Sequence, residues 1–188
     1  MFFRNAIALI LLMCGAICIT GQTQSKPSPE VLVFEAKVLS DKGQAAYQTL
    51  SSANLFALGH IGYAGQIADE TIALSILIKE KNVEEALQSL ARDATPEGQV
   101  YGLLGLQVIK CDCLKGELEA YKKLPPTPDR DMEKVFLRTP AGHIRSMSGC
   151  FPQSLKQEEV IRDLENGKLA ESFTLVNKTR TYAVGKSK

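Results

Sequence analysis

Thr95–Lys110 reads TPEGQVYGLLGLQVIK, and the character of this stretch decides the fold. Thr95 followed by Pro96 opens a helix, because a Thr hydroxyl can accept from an orphan N–H and Pro at the first helical position loses no hydrogen bond. Glu97 then falls where the helix dipole favours negative charge. Val100, Tyr101, Leu103, Leu104, Leu106, Val108 and Ile109 put apolar groups on every side, the pattern of a helix covered all round. Gly98, Gly102 and Gly105 stand at i, i+4 and i+7 and leave one stripe bare. Each mid-helix Gly costs about 0.5–1 kcal/mol relative to Ala. The stripe therefore predicts that a neighbouring helix backbone approaches closely enough to offset that cost. A membrane span is disfavoured: the run falls short of ~20 apolar residues and contains Gln99 and Gln107.

Working back toward the N-terminus, Asn82 with Glu85 three residues later has the form of a capping box. It opens a helix with Val83, Ala86, Leu87, Leu90 and Ala91 inward and Glu84, Glu85, Gln88, Ser89 and Arg92 outward. Asp69–Glu80 is a further helix, largely apolar. Before it, Gly59, Gly62 and Gly65 recur at spacing three, which predicts a structural loop with unusual φ values. The dinucleotide and P-loop patterns require other glycine spacings, so no phosphate cradle is expected. Gly43–Ala57 places Ala46, Leu50, Ala53 and Ala57 on one helical stripe. Glu30–Leu39 is read as a helix stopped at Gly43, although Val31, Leu32, Val33, Phe34 and Val38 favour strand. Gly65-Gln66-Ile67 returns as Gly98-Gln99-Val100, an offset of 33 that would suit two-helix repeat units.

Working forward, Cys113–Leu124 forms an amphipathic helix stopped by Pro125-Pro126. The character then changes. Val135, Phe136 and Leu137, a turn at Thr139–Gly142, and His143–Met147 are expected to make a β-hairpin. Ser154-Leu155-Lys156-Gln157 is read as a second capping box, opening a helix with Val160, Ile161 and Leu164 inward and Gly167 as its stop. Residues 169–188 are basic and expected to be a flexible tail. The fold class is thus mainly α: a compact helical domain, α-hairpin or short solenoid-like, closed by a small C-terminal β-hairpin plus helix.

Met1–Thr20, MFFRNAIALILLMCGAICIT, has one Arg before a long apolar run and a polar sequel, the shape of a secretory signal peptide. Residues 21–29 are a linker, and 30–168 form one domain, with a helical part 30–124 and a closing part 133–168. Localisation is therefore expected to be extracytoplasmic, periplasmic or secreted, with no membrane span after signal removal. The alternative is a membrane tether through the uncleaved segment or a lipid on Cys14 or Cys18.

The chain has 188 residues, enough for one real core. With a formal net charge of +1, it lacks the electrostatic footprint of a nucleic-acid partner. Aromatic residues make up 6% and Trp is absent, which argues against a base-stacking platform.

Candidate chemistry centres on cysteine. Cys14 and Cys18 leave with the signal, and Cys111, Cys113 and Cys150 remain in an oxidising compartment. The simplest expectation ties Cys150 to Cys111 or Cys113. That bridge would close a loop of about 38 residues and contribute about 3–4 kcal/mol in the chain-entropy model. A sharper alternative is a metal site from Cys111, Cys113, His143 and Cys150, three thiolates and an imidazole being an accepted zinc set. Cys150 with His143 as a thiol catalytic pair lacks an orienting third group. No catalytic residue and no cofactor is expected. The first function reading is a non-catalytic binding or adaptor module whose partner is another protein, with an immunity or inhibitor protein as one concrete version. The second is a Cys/His-centred metal-binding or thiol-active protein.

Overall fold

The computed structural model describes residues 34–131 and 138–185, without the side chains of residues 37 and 179–185. The expected signal, the linker and the Val135–Leu137 run lie outside the described residues.

The fold is mainly α: the described residues are 54% helical with seven helices, and a two-stranded antiparallel sheet near the C-terminus is followed by a helix. The helices are α1 (Asp41–Ser51), α2 (Asp69–Leu77), α3 (Val83–Asp93), α4 (Pro96–Val108), α5 (Leu114–Lys122), α6 (Gln157–Glu165) and α7 (Lys168–Gly185). Among the described residues there are also two hairpins: β1 (His60–Ile61) with β2 (Gln66–Ile67), and β3 (His143–Ser148) with β4 (Phe151–Lys156).

Helix α4 runs through the middle. Thr95 caps it, its hydroxyl accepting from Gly98 N at 3.2 Å while donating to Ala53 O, so one side chain ties the start of α4 to the end of α1. Val100, Tyr101, Leu103, Leu104 and Leu106 are fully buried. The glycine stripe faces α3 and the end of α1. A Cβ at Gly102 would lie 2.5 Å from Ala91 N and 2.8 Å from Leu87 O, both on α3. One at Gly98 would strike Leu50 O at the end of α1, and one at Gly105 would strike the Leu87 side chain. Helix α4 ends in a Schellman cap: Lys110 takes φ 57°, its N–H donates to Gln107 O, and Cys111 N donates to Leu106 O.

Several boundaries depart from expectation. Between 34 and 40 the chain makes only a 3-10 turn, Ala36–Val38, because Leu39 and Ser40 must be extended for Ser40 to cap α1 through Gly43 N. Gly43 is therefore not a stop; it lies in the first turn of α1, under the Glu80 side chain. Helix α1 ends at Ser51, and Ala53 and Ala57 are buried in the segment that follows it. Neither expected capping box forms. Asn82 makes no side-chain cap, and Ser154 belongs to β4, so α6 begins at Gln157 without one. The apparent 33-residue repeat has no structural counterpart, since Gln66–Ile67 is strand and Gln99–Val100 is helix.

The small C-terminal hairpin forms, and among the described residues its second strand is one that the sequence did not announce. His143–Ser148 pairs forward with Phe151–Lys156, in register His143↔Lys156 to Ser148↔Phe151. Strand β4 reads FPQSLK and is almost wholly exposed, so it carries no apolar alternation to announce it. Gly149 at φ 58° in the two-residue loop supplies what a type II′ turn requires. Pro152 sits opposite Met147, a pair without ladder hydrogen bonds by alternation from the turn, so its missing N–H faces the free edge. The expected flexible tail is helix α7, held because Phe173 is buried in the main core.

Gly102→Ala is expected to lower stability by about 1–3 kcal/mol through overpacking against α3. Gly116→Ala, in α5 with open space around it, should instead raise stability by about 0.5–1 kcal/mol. Urea midpoints at unchanged m-value check both; equal effects would remove the packing role of the stripe.

Candidate functional site

The Gly59–Gly65 segment folds as hairpin β1–β2. Gly59, Gly62 and Gly65 take φ values of 144°, 70° and 60°, conformations that only glycine adopts without strain. Gly65 N donates to Gly62 O at 3.1 Å, and His60 Nδ1 contacts Gly65 O, so the loop is closed on itself. This tip is bonded to the other hairpin. Gly62 N donates to Gly149 O at 3.0 Å, and Ile61 bridges Gly149 in parallel. Beneath both lies a small apolar cluster of Leu55, Ala57 and Ala68, with Ile61 and Met147 packed against it. Phe56 joins the inner edge of β3: its N donates to Arg145 O and its O accepts from Met147 N. Two aromatic side chains project from the joined tips, Tyr63 at 102% exposure and Phe151 at 74%. Cys150 lies between Gly149 and Phe151, half-buried and with a free thiol.

The cysteines pair otherwise than expected. Cys111 and Cys113 are bonded to each other, and Cys150 to neither. Cys111 follows the left-handed Lys110 at the end of α4, and Cys113 is the N-terminal flank of α5, so one tight turn presents both sulfurs. Cys113 N–H also donates to Cys111 Sγ at 3.1 Å. A bridge across so short a loop stabilises by only about 1.6 kcal/mol in the chain-entropy model, roughly half of what the 38-residue loop would. The expected four-ligand metal set is not gathered. His143 begins β3 and Cys150 lies beyond its end, about 17 Å or more of strand apart, which separates the expected thiol–imidazole pair as well. His143 Nδ1 instead faces Ala141 O at 3.0 Å. Among the described residues the metal-ligating groups that do converge are Glu84, Cys111 and Cys113, with ligand atoms within 4.8 Å of one another. Sequence reasoning passed over Glu84, since its outward position on α3 reads as an ordinary solvated face.

A buried charged node was also missed. Glu97, in the first turn of α4, has no exposure at all. Its carboxylate accepts from Arg130 Nη1 at 2.8 Å and Nη2 at 2.7 Å, and from Arg145 N at 2.8 Å. Bidentate pairing and the helix N-terminus make a buried charge tolerable here. Arg130 Nη2 and Thr127 Oγ1 both donate to His143 O at 3.0 Å. The Arg145 guanidinium donates to Thr139 Oγ1 and Asp131 O. Burial, with the Glu97 charge second, pushes the Tyr121 phenol far up, and its hydroxyl has no hydrogen-bond partner among the described residues. The Glu97 carboxylate is fully buried and taken up by Arg130 and the Arg145 N–H, so the node joins α4 to Arg130 and to β3. Tyr101 acts similarly on the other side: its hydroxyl accepts from Ala57 N at 2.9 Å and donates to Ala57 O at 3.0 Å. Its phenol is raised by burial first. The sequence marks Glu97 as a dipole partner alone; nothing in local pattern pairs it with an arginine 33 positions away.

Against known proteins, the chain matches no family model, no curated protein and no solved structure.

Arg130→Met is expected to cost about 3–5 kcal/mol, because it strands the Glu97 charge. Adding Glu97→Gln should return part of that loss, measured as coupling in a double-mutant cycle. Glu70, partly buried in the first turn of α2, has its carboxyl raised above 4.5 by burial first and by the Asp69 charge. The raised folded value makes Glu70 support folding fully only below the unfolded value of 4.5, and that support is lost as pH rises through the folded value. Glu70→Gln should therefore raise the Tm near neutral pH, and the gain should shrink below pH 4.5.

Proposed function

We propose that this chain is an exported, non-catalytic binding module that contacts a protein partner through its joined hairpin tips. The observation that carries the reading is the pair Tyr63 and Phe151, exposed at 102% and 74% on tips bonded through Gly62 and Gly149. Aromatic side chains are the usual anchors of protein interfaces, and on tight hairpins they lose little rotamer freedom when covered. The buried Glu97 is occupied by Arg130 and the Arg145 N–H, and both histidines contact backbone carbonyls.

Export is supported by the composition of residues 1–20, with a charged start, an apolar centre and a polar sequel. Among the described residues no helix is long and apolar enough to cross a membrane. The near-zero net charge favours a protein partner over nucleic acid. An immunity- or inhibitor-like role is one form such a module takes.

Photo-crosslinking side chains at positions 63, 151 and, as control, 115 test the reading in the producing cell. A discrete protein adduct at 63 and 151 that is absent at 115 is the expected outcome, from a chain whose N-terminus lies beyond residue 20. Equal adducts at all three positions, or none, would refute the tip as the contact surface. Tyr63→Ser with Phe151→Ser should shift stability by less than about 0.5 kcal/mol while blocking partner binding.

A further inference from the structure

From the convergence of Glu84, Cys111 and Cys113 we infer a redox-gated site for a thiophilic divalent cation, zinc above all. It is separate from the hairpin tips: β3 is held at the N-terminal end of α4 through Glu97, and the cysteines follow its C-terminal end, about 18 Å along a helix of this length.

The ligand atoms come from two elements. Glu84 stands in the first turn of α3, with Gln88 Nε2 3.4 Å from its Oε1. Cys111 and Cys113 occupy the turn between α4 and α5, both half-exposed. All three ligand atoms lie within 4.8 Å of one another, and once the bond between the two sulfurs is reduced they can move apart to the spacing around a tetrahedral ion. Two thiolates and a carboxylate are three of the four ligands zinc takes, and water completes the set. The bonded sulfurs cannot bind the ion, so oxidation closes the site and reduction opens it.

Opening needs two electrons, supplied by an external dithiol. Its thiolate attacks Cys113 Sγ, and the Cys111 sulfur leaves as thiolate, stabilised by the Cys113 N–H that already donates to it. The second thiol of the reductant then displaces Cys113 from the mixed disulfide. The products are the oxidised, cyclic form of the reductant and the reduced pair of Cys111 and Cys113. A zinc ion binds both sulfurs as thiolates, the pair's two protons pass to solvent, and Glu84 adds a carboxylate oxygen.

The test uses the full chain carrying C14S, C18S and C150S, so that Cys111 and Cys113 are the remaining thiols. Zinc content after equilibrium dialysis is measured for the air-oxidised protein and for protein reduced with a phosphine, which takes up the oxygen of water as the disulfide gains two hydrogens. One zinc per chain is expected when reduced and none when oxidised. In the reduced protein, a chromophoric chelator should read an affinity lowered about tenfold or more by Glu84→Gln, the scale on which even outer-shell losses weaken metal sites. Cobalt in place of zinc should give a thiolate charge-transfer band that Cys113→Ser abolishes. Glu84 is exposed, so its variant should keep the parent circular dichroism spectrum. Equal zinc in both redox states, no zinc in the reduced chain, or unchanged affinity in Glu84→Gln would each overturn the site.

Discussion

Where Gly102 faces α3, the α4 backbone comes into contact with Leu87 O and Ala91 N, closer than any side chain would permit. Helices normally pack with axes 8–10 Å apart because side chains hold them off. Here three glycines in one stripe remove that spacer, and α4 seats against α3 and the end of α1 together. The mid-helix glycine penalty is offset by what the approach permits, a core of fully buried leucines with Tyr101 among them. The rest of the helical layer inherits its place from this contact. Thr95 fastens α1 to the start of α4, Arg92 on α3 pairs with Glu117 on α5, and Gln107 near the end of α4 donates to Leu164 O on α6.

At the other extreme of polarity, Glu97 carries a full charge into the same core. Helix dipole, guanidinium and backbone N–H converge on it, so its desolvation is met at every oxygen. The consequence is directional. Arg130 reaches α4 through its guanidinium and Arg145 through its backbone N–H, and β3 is thereby set in place beside residues 56–62. The hairpin tips, with their exposed aromatics, stand where they do because a buried ion pair positions the strand behind them.

Strand β4 shows how an exposed edge is kept from pairing further. Pro152 withdraws a donor from that edge, and the helical start at Gln157 ends it. What protrudes is consequently side chain at the tip, and the backbone edge beside it is blunted. The cysteines lie in a turn that α4 ends in a left-handed Lys110 to make, a conformation costing a non-glycine residue on the order of 1 kcal/mol. Backbone strain and a bond that contributes little to stability thus meet at the same turn.

Local chemistry determined much of this protein directly. Thr95-Pro96 and the all-round apolar run marked α4, the amphipathic pattern marked the inner face of α3, and the glycine spacing marked a loop of positive φ. These features depend on interactions within three or four residues, which sequence order already places together. Tertiary structure alone decided the rest: that FPQSLK is the partner of β3, that Phe173 draws the C-terminal stretch into a helix, that Cys111 takes Cys113, and that Glu84 meets both. Each depends on which distant group arrives at a given point in space. A solvated carboxylate, an unalternating strand and a cysteine carry no mark of that in their own neighbourhood, because packing of the whole chain brings their partners to them.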